Sequence, residues 1–133
     1  MANDVMRKWH EVMESGSPVG LDALLDEDAV FHSPVVHTPQ RGKMLTGMYL
    51  SAAQNVFRDS GFRYVREVVG DRDAVLEFEA TLDCIHINGI DMIRWNDEGR
   101  IVDFKVMVRP LKAVNHLHQL MARMLEQFAP KKS

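Results

Sequence analysis

Residues 74–82, Ala74-Val75-Leu76-Glu77-Phe78-Glu79-Ala80-Thr81-Leu82, alternate strictly. Leu76, Phe78, Ala80 and Leu82 share one face, and Glu77, Glu79 and Thr81 share the other. Alternation with period two marks a half-buried strand, because successive side chains of an extended backbone point to opposite sides. Strand-like segments stand on both sides of it: Phe62 to Val69 before, Cys84 to Trp95 and Ile101 to Val108 after. In the last of these, Val102, Phe104, Val106 and Val108 oppose Asp103, Lys105 and Arg109. Gly70-Asp71-Arg72-Asp73 and Asn96-Asp97-Glu98-Gly99 read as turns, so antiparallel hairpins are expected.

Helical periodicity surrounds this meander. Val5, Met6, Trp9, Val12 and Met13 form an apolar stripe that Asn3 or Asp4 can cap, and Ser15-Gly16-Ser17-Pro18 ends it. Leu21, Leu24 and Leu25 mark a short second helix. Ala29 to Ser33 reads as a strand halted by Pro34, and the stretch to Gly42 as an extended loop or edge strand. Leu45, Met48, Tyr49, Ala52, Ala53 and Val56 give a third helix, closed by Asp59-Ser60-Gly61. Pro110 opens a last helix with the stripe Val114, Leu117, Met121, Met124, Leu125 and Phe128. Helices, then consecutive strands, then a helix make an α+β arrangement. A curved antiparallel sheet over the N-terminal helices would leave an apolar pocket between the layers, a shape suited to a small molecule.

The 133 residues suit one domain, with a core about 4–128. A net charge of −3 without a basic stripe argues against nucleic acid; Lys131-Lys132 is the only basic cluster. No apolar targeting core or membrane-length segment is visible, and no membrane partner is expected. Cys84 is the single cysteine, so no intrachain disulfide forms and a cytoplasmic setting is expected. It reads as an inert small hydrophobe in its strand. Nine methionines fit either an ordinary core or a loosely shaped cavity.

In Ile90-Asp91-Met92-Ile93-Arg94-Trp95, parity puts Asp91 on one face with Ile93 and Trp95. If that face is buried, the carboxyl lies among apolar side chains. Its pKa then rises, and it can serve as acid, base or neutral hydrogen-bond donor. Alternatively, Asp91 pairs with a nearby arginine, or caps a hairpin entered from Asn88-Gly89.

Asp28-Ala29-Val30-Phe31-His32-Ser33-Pro34 with Gly42 following, the Ile90–Trp95 run, and Gly99-Arg100-Ile101-Val102 together resemble the nuclear transport factor 2-like superfamily. This cone-shaped fold is shared by ketosteroid isomerases, limonene epoxide hydrolases and SnoaL-like polyketide cyclases. Val106-Met107-Val108-Arg109-Pro110-Leu111 looks like a bacterial branch known by its fold alone. The resemblance implies a single SnoaL-like domain with a cystatin-like fold, and a homodimer through the sheet's outer face. It places Asp91 where ketosteroid isomerases keep a protonated aspartic acid, a carboxyl held neutral by its apolar site so that it can donate to an oxyanion. Ser33 stands at the isomerase's general-base aspartate and Trp9 at its oxyanion-hole tyrosine, so steroid isomerase activity is not expected. Gly89 stands where the epoxide hydrolases need arginine. For cyclase-type chemistry, His37 is the histidine that could partner Asp91.

Under this resemblance Trp9, Phe31, Phe78, Trp95 and Phe104 supply an aromatic lining, joined by Tyr49, Ile93, Val106 and Val108. Taken alone, each is more often a core residue than a ligand contact. Arg94 and Arg109 fall on the opposite sheet face from Asp91. No metal site is expected from the six histidines: His116 and His118 are two apart on a helix, and Pro34 separates His32 from His37. His10 reads as a surface residue, and Ser33 lacks the neighbours of a nucleophile.

The leading expectation is a small isomerase- or cyclase-type enzyme without a cofactor. It would act on an apolar carbonyl or cyclic metabolite, with Asp91 as acid or hydrogen-bond donor and Ser33, His37 and Tyr49 as orienting groups. The first alternative is a non-catalytic module that binds a hydrophobic small molecule. The second is a dimeric interaction protein whose core is filled.

Overall fold

The computed structural model describes residues 2–128; Lys131-Lys132 lies outside the described residues. Helix α1 (Ala2–Ser15) leads into α2 (Pro18–Leu24) and β1 (Leu25–His32). A two-residue strand, β2 (Gln40–Arg41), precedes α3 (Lys43–Val56). Strands β3 (Arg63–Val69), β4 (Asp73–Leu82), β5 (Ile85–Trp95) and β6 (Ile101–Arg109) follow, and α4 (Leu111–Phe128) closes the order. The six strands make one curved, open sheet in the order β2-β1-β6-β5-β4-β3.

Local chemistry accounts for most boundaries. Gly16 takes a positive φ of 66° just past α1, and Ser17 accepts the Gly20 N–H to cap α2, with Pro18 at the first helical position. Asn3 and Asp4 lie inside α1 rather than at its cap. Leu25, read with the second helix, opens β1 instead. Thr46 is fully buried and its hydroxyl donates to the Ala29 carbonyl, tying α3 to β1.

Antiparallel pairing joins β3 to β4, β4 to β5 and β5 to β6, but β1 lies parallel to β6. The chain reaches β6 only after the whole meander, and so enters beside β1 in the same direction. The β4–β5 connection is a tight turn in which Asp83 and Cys84 both have positive φ, as a two-residue hairpin loop of matching twist requires. Cys84 is therefore an exposed turn residue, not a strand residue. Asn88 and Gly89 lie inside β5, so no hairpin begins there. A bulge opposite Arg94 and Trp95 shifts β6 by one residue. Ile101 is consequently the fully buried partner of Trp95, while Val102 leaves the inward phase that alternation assigns it and is half-buried.

The inward sheet face and the helices form two apolar clusters. Trp9, Phe31, Leu76, Ile93, Trp95 and Phe104 belong to one, and Phe78, Ile87, Ala113 and Leu117 to the other. Gly89 pairs with Phe78 across β4 and β5, and the phenyl ring lies over it. A methyl group there would stand 2.5 Å from Phe78 Cζ and 2.7 Å from the Met107 carbonyl oxygen. The backbone oxygen cannot swing aside as a side chain can. Gly89→Ala should cost about 1–3 kcal/mol of unfolding free energy in urea denaturation, the range for forced overpacking. A stability equal to the parent would mean that β6 yields without strain.

Candidate functional site

Strand parity turns Asp91 inward beside Ile93 and Trp95, and all three are buried, Asp91 at 7% exposure. Register sets it between Leu76 on β4 and Val106 on β6. In front of it the sheet stands away from the helices and leaves a cavity of about 570 Å³. Trp9 and Met13 of α1, Tyr49, Leu50 and Ala53 of α3, and Leu117, Met121 and Leu125 of α4 face the sheet side chains Phe78, Phe104 and Val106 across it. His10, Glu14, Arg63 and His118 contribute the charged or titratable groups of the lining besides Asp91 and the tyrosines.

The carboxyl is held by a directed chain. Trp9 is 2% exposed, and its indole N–H donates to the Tyr64 hydroxyl at 3.0 Å. That hydroxyl in turn donates to Oδ2 of Asp91 at 2.6 Å. Among the described residues no sealed side-chain oxygen or nitrogen lacks a partner, and Oδ1 has none, so Oδ1 opens onto the cavity. Burial pushes the Asp91 carboxyl up to about 7, against the smaller opposing pull of the Tyr64 hydrogen bond. Burial first, and then the charge of Asp91, holds the Tyr64 hydroxyl well above the usual phenol value, so Tyr64 stays a donor. Near neutral pH such a carboxyl exchanges a proton readily in either direction.

Of the residues singled out in the sequence, Trp9, Phe31, Ser33, Tyr49, Phe78, Asp91, Phe104 and Val106 line this cavity together. Tyr49 stacks on Phe31 with ring centroids 5.2 Å apart. The Ser33 hydroxyl accepts the Val35 N–H at 3.1 Å. Four residues are elsewhere. Ile93 and Trp95 are sealed into the core cluster with Val5, Leu24 and Ile101. Val108 packs on the second cluster without reaching the cavity. His37 is exposed, because the loop touches the cavity only through Ser33, Pro34, Val35 and Val36.

Neither simple partner expected for Asp91 is present. Arg94 bonds Asp73 on the outer face at 2.8 Å, and Arg109 reaches Asn88. His32 pairs with Asp103 outside the sheet, and His116 with Asp83. His10 is half-buried beside Tyr64 and pairs with Glu67 at 2.5 Å. Among the described residues no group of three or more His, Cys, Asp or Glu side chains is placed to hold a metal ion. Nor is any described helix long and apolar enough to cross a membrane.

Tyr64 is the functional residue that the sequence pattern does not reveal. Its signal is faint: one of two tyrosines, in a strand otherwise largely exposed and broken by a bulge between Tyr64 and Arg66. Pairing with the inward-facing Phe78 is what sets its direction.

A family profile described as SnoaL-like domain matches residues 6–104. A solved steroid delta-isomerase from Pseudomonas aeruginosa is 40% identical, covers 96% of this chain and 93% of its own, and superposes with a TM-score of 0.89. A bacterial protein with a cystatin-like fold from Silicibacter pomeroyi is 32% identical over 90% of this chain and 83% of its own, with a TM-score of 0.83. An NTF2-like protein from Mesorhizobium loti, 21% identical over 82% of this chain and 91% of its own, shares the fold with a TM-score of 0.72. Comparison with curated proteins finds no match.

The position of Asp91 has a consequence for stability. An aspartate in an unfolded chain titrates near 3.9, whereas the folded chain holds this proton up to about 7. The folded state therefore binds more protons between those values. Asp91's contribution is fully present below about pH 4, declines as the pH rises through the window, and levels off above about pH 7. The whole span amounts to about 4 kcal/mol at 1.36 kcal/mol per unit. Asp91→Asn has no such proton, so its unfolding free energy relative to the parent should climb by up to that amount from pH 4 to pH 8. Parallel pH profiles in urea denaturation would place Asp91 in contact with water.

Proposed function

This chain belongs to the SnoaL-like family, and from that premise we propose that it is a small isomerase- or cyclase-type enzyme acting on an apolar carbonyl compound. Asp91 is its acid or hydrogen-bond donor. The observation that carries this reading is a single carboxyl oxygen, Oδ1 of Asp91, facing an apolar cavity while Oδ2 is occupied by Tyr64. Donation from Oδ1 to a ligand carbonyl draws electron density onto that oxygen. This acidifies an adjacent C–H bond, whose proton passes to solvent water while the enol oxygen keeps the Asp91 hydrogen bond, or opens the carbonyl carbon to attack by water. The Pseudomonas aeruginosa relative, a steroid delta-isomerase, supports isomerase-type chemistry. A steroid is not carried over as the substrate, because Ser33 offers no carboxylate base and its hydroxyl is engaged by Val35.

That same satisfaction favours a second reading, a non-catalytic carrier of hydrophobic small molecules. Apart from Asp91, the only carboxyl lining the cavity among the described residues is Glu14, which is exposed. In this reading Asp91 orients a ligand and no bond changes.

We propose a homodimer through the outer sheet face, and the apolar alignment of Val68, Val75 and Met92 across three strands, with Ile90 facing Met107, supports it. Val68 and Met107 are 62% and 49% exposed, too open for isolated core residues. The double variant Val68→Asp, Met107→Asp should sediment as a monomer if the parent is a dimer. A parent that sediments as a monomer at micromolar concentration removes the dimer.

Two probes separate the enzyme reading from the carrier reading. Calorimetry at pH 6 should show 2-acetylnaphthalene bound more tightly than 2-ethylnaphthalene, with the preference fading by pH 8.5 as Asp91 ionises, and no pH dependence in Asp91→Asn. In D2O the protein should accelerate exchange of the ketone's methyl protons, and Asp91→Asn should slow this at least about a hundredfold. Ketone preference without exchange leaves the carrier. Equal binding of both probes at both pH values removes Asp91 from either role.

A further inference from the structure

Trp9 and Tyr64 do more than fill space beside Asp91, because the hydrogen-bonding capacity of each group fixes the direction of the whole chain. An indole N–H can only donate. At 3.0 Å it occupies the acceptor side of the Tyr64 oxygen. A phenol has a single proton, and the 2.6 Å contact to Oδ2 is where that proton goes. With its acceptor side filled, Tyr64 cannot also receive a proton from Asp91. When Asp91 takes up a proton, Oδ2 must therefore remain the accepting, carbonyl-like oxygen.

We propose that Trp9 and Tyr64 are positioning residues whose one-way hydrogen-bond chain places the proton of the Asp91 acid on Oδ1, pointing into the cavity. The inference rests on the function proposed above for the same site, and it narrows the ligand. The group that reaches the cavity floor must accept a hydrogen bond, as a ketone, aldehyde, ester or lactone carbonyl does. An ammonium group, which offers only donors, is refused while Asp91 is protonated.

The other titratable groups are placed so that they do not compete for this proton. Glu67 pairs with His10, whose ring stands edge-on to Tyr64 with centroids 5.5 Å apart and shares no hydrogen bond with it. Arg63 on β3 bonds Glu79. Tyr49 on α3, Glu14 on α1 and His118 on α4 line the cavity, and none of them is bonded to Asp91. On β4 and β6 the residues directly paired with Asp91 are Leu76 and Val106, which carry no charge.

Infrared difference spectroscopy of the intact protein tests the polarity without any ligand. The carbonyl stretch of protonated Asp91 is the band present at pH 5 in the parent and missing in Asp91→Asn. In the parent it should lie at the low wavenumber of a C=O that accepts a strong O–H donor. Tyr64→Phe keeps the ring and removes the donor, so the band should move to higher wavenumber. Trp9→Phe frees the acceptor side of Tyr64, so the acid can turn its proton toward that oxygen. A component at higher wavenumber should then appear, and the preference for 2-acetylnaphthalene over 2-ethylnaphthalene should fall at least tenfold at pH 6.

A band unmoved in Tyr64→Phe overturns the proposal. So does a band that moves in Tyr64→Phe but keeps the parent position in a folded Trp9→Phe protein, since Tyr64 then holds its orientation unaided. If Trp9→Phe fails to fold, Tyr64→Phe still decides the placement of the proton. Failure of the enzyme reading has a different signature: the bands behave as expected while methyl exchange stays at the buffer rate.

Discussion

A carboxyl group in an apolar enclosure is costly when charged, and the arrangement around Asp91 is one answer to that cost. The fold leaves one oxygen in contact with a donor that stays protonated and turns the other to the cavity. Three separate elements must meet for this: α1 brings Trp9, β3 brings Tyr64, and β5 brings Asp91. If any one of them shifted by about an ångström, the chain of donors would open and the carboxyl would be left without its partner. The site is thus a test of how accurately the sheet and first helix are packed.

The inward positions of β5 show how a cavity is carved from a core. Ile87 belongs to one apolar cluster, and Ile93 and Trp95 to the other. Between them stand Gly89, with no side chain, and Asp91, with a short polar one. The phenyl ring of Phe78 settles over Gly89, and the space in front of Asp91 stays open to members of both clusters. A carboxyl placed two residues later, at Ile93, would be enclosed by packed side chains with no room for a ligand. Position along a strand therefore separates a structural residue from a reactive one on the same face.

Much of this was legible in the chain. Alternation in residues 74–82 and 90–95 establishes strands and their faces, because the period of a strand is a property of the local backbone. It identifies Asp91 as the inward carboxyl, and helix periodicity does the same for Trp9 and Tyr49. The same logic fails where the local period breaks. A bulge moves Val102 out of phase, two positive φ values turn Cys84 out of its strand, and loop geometry carries His37 away from the cavity. Ile93 and Trp95 have the right face and the wrong depth, a distinction that periodicity does not contain.

What the sequence by itself determined is the set of elements, their buried faces and a carboxyl among apolar neighbours, all of which follow from interactions between residues close in the chain. What only the tertiary structure decided is who meets that carboxyl. Tyr64 lies 27 residues from Asp91, and Trp9 lies 55 residues from Tyr64. Contacts over such separations depend on strand register, on a bulge and on the seat of a helix. These are settled by the packing of the whole chain, and no short stretch of sequence encodes them.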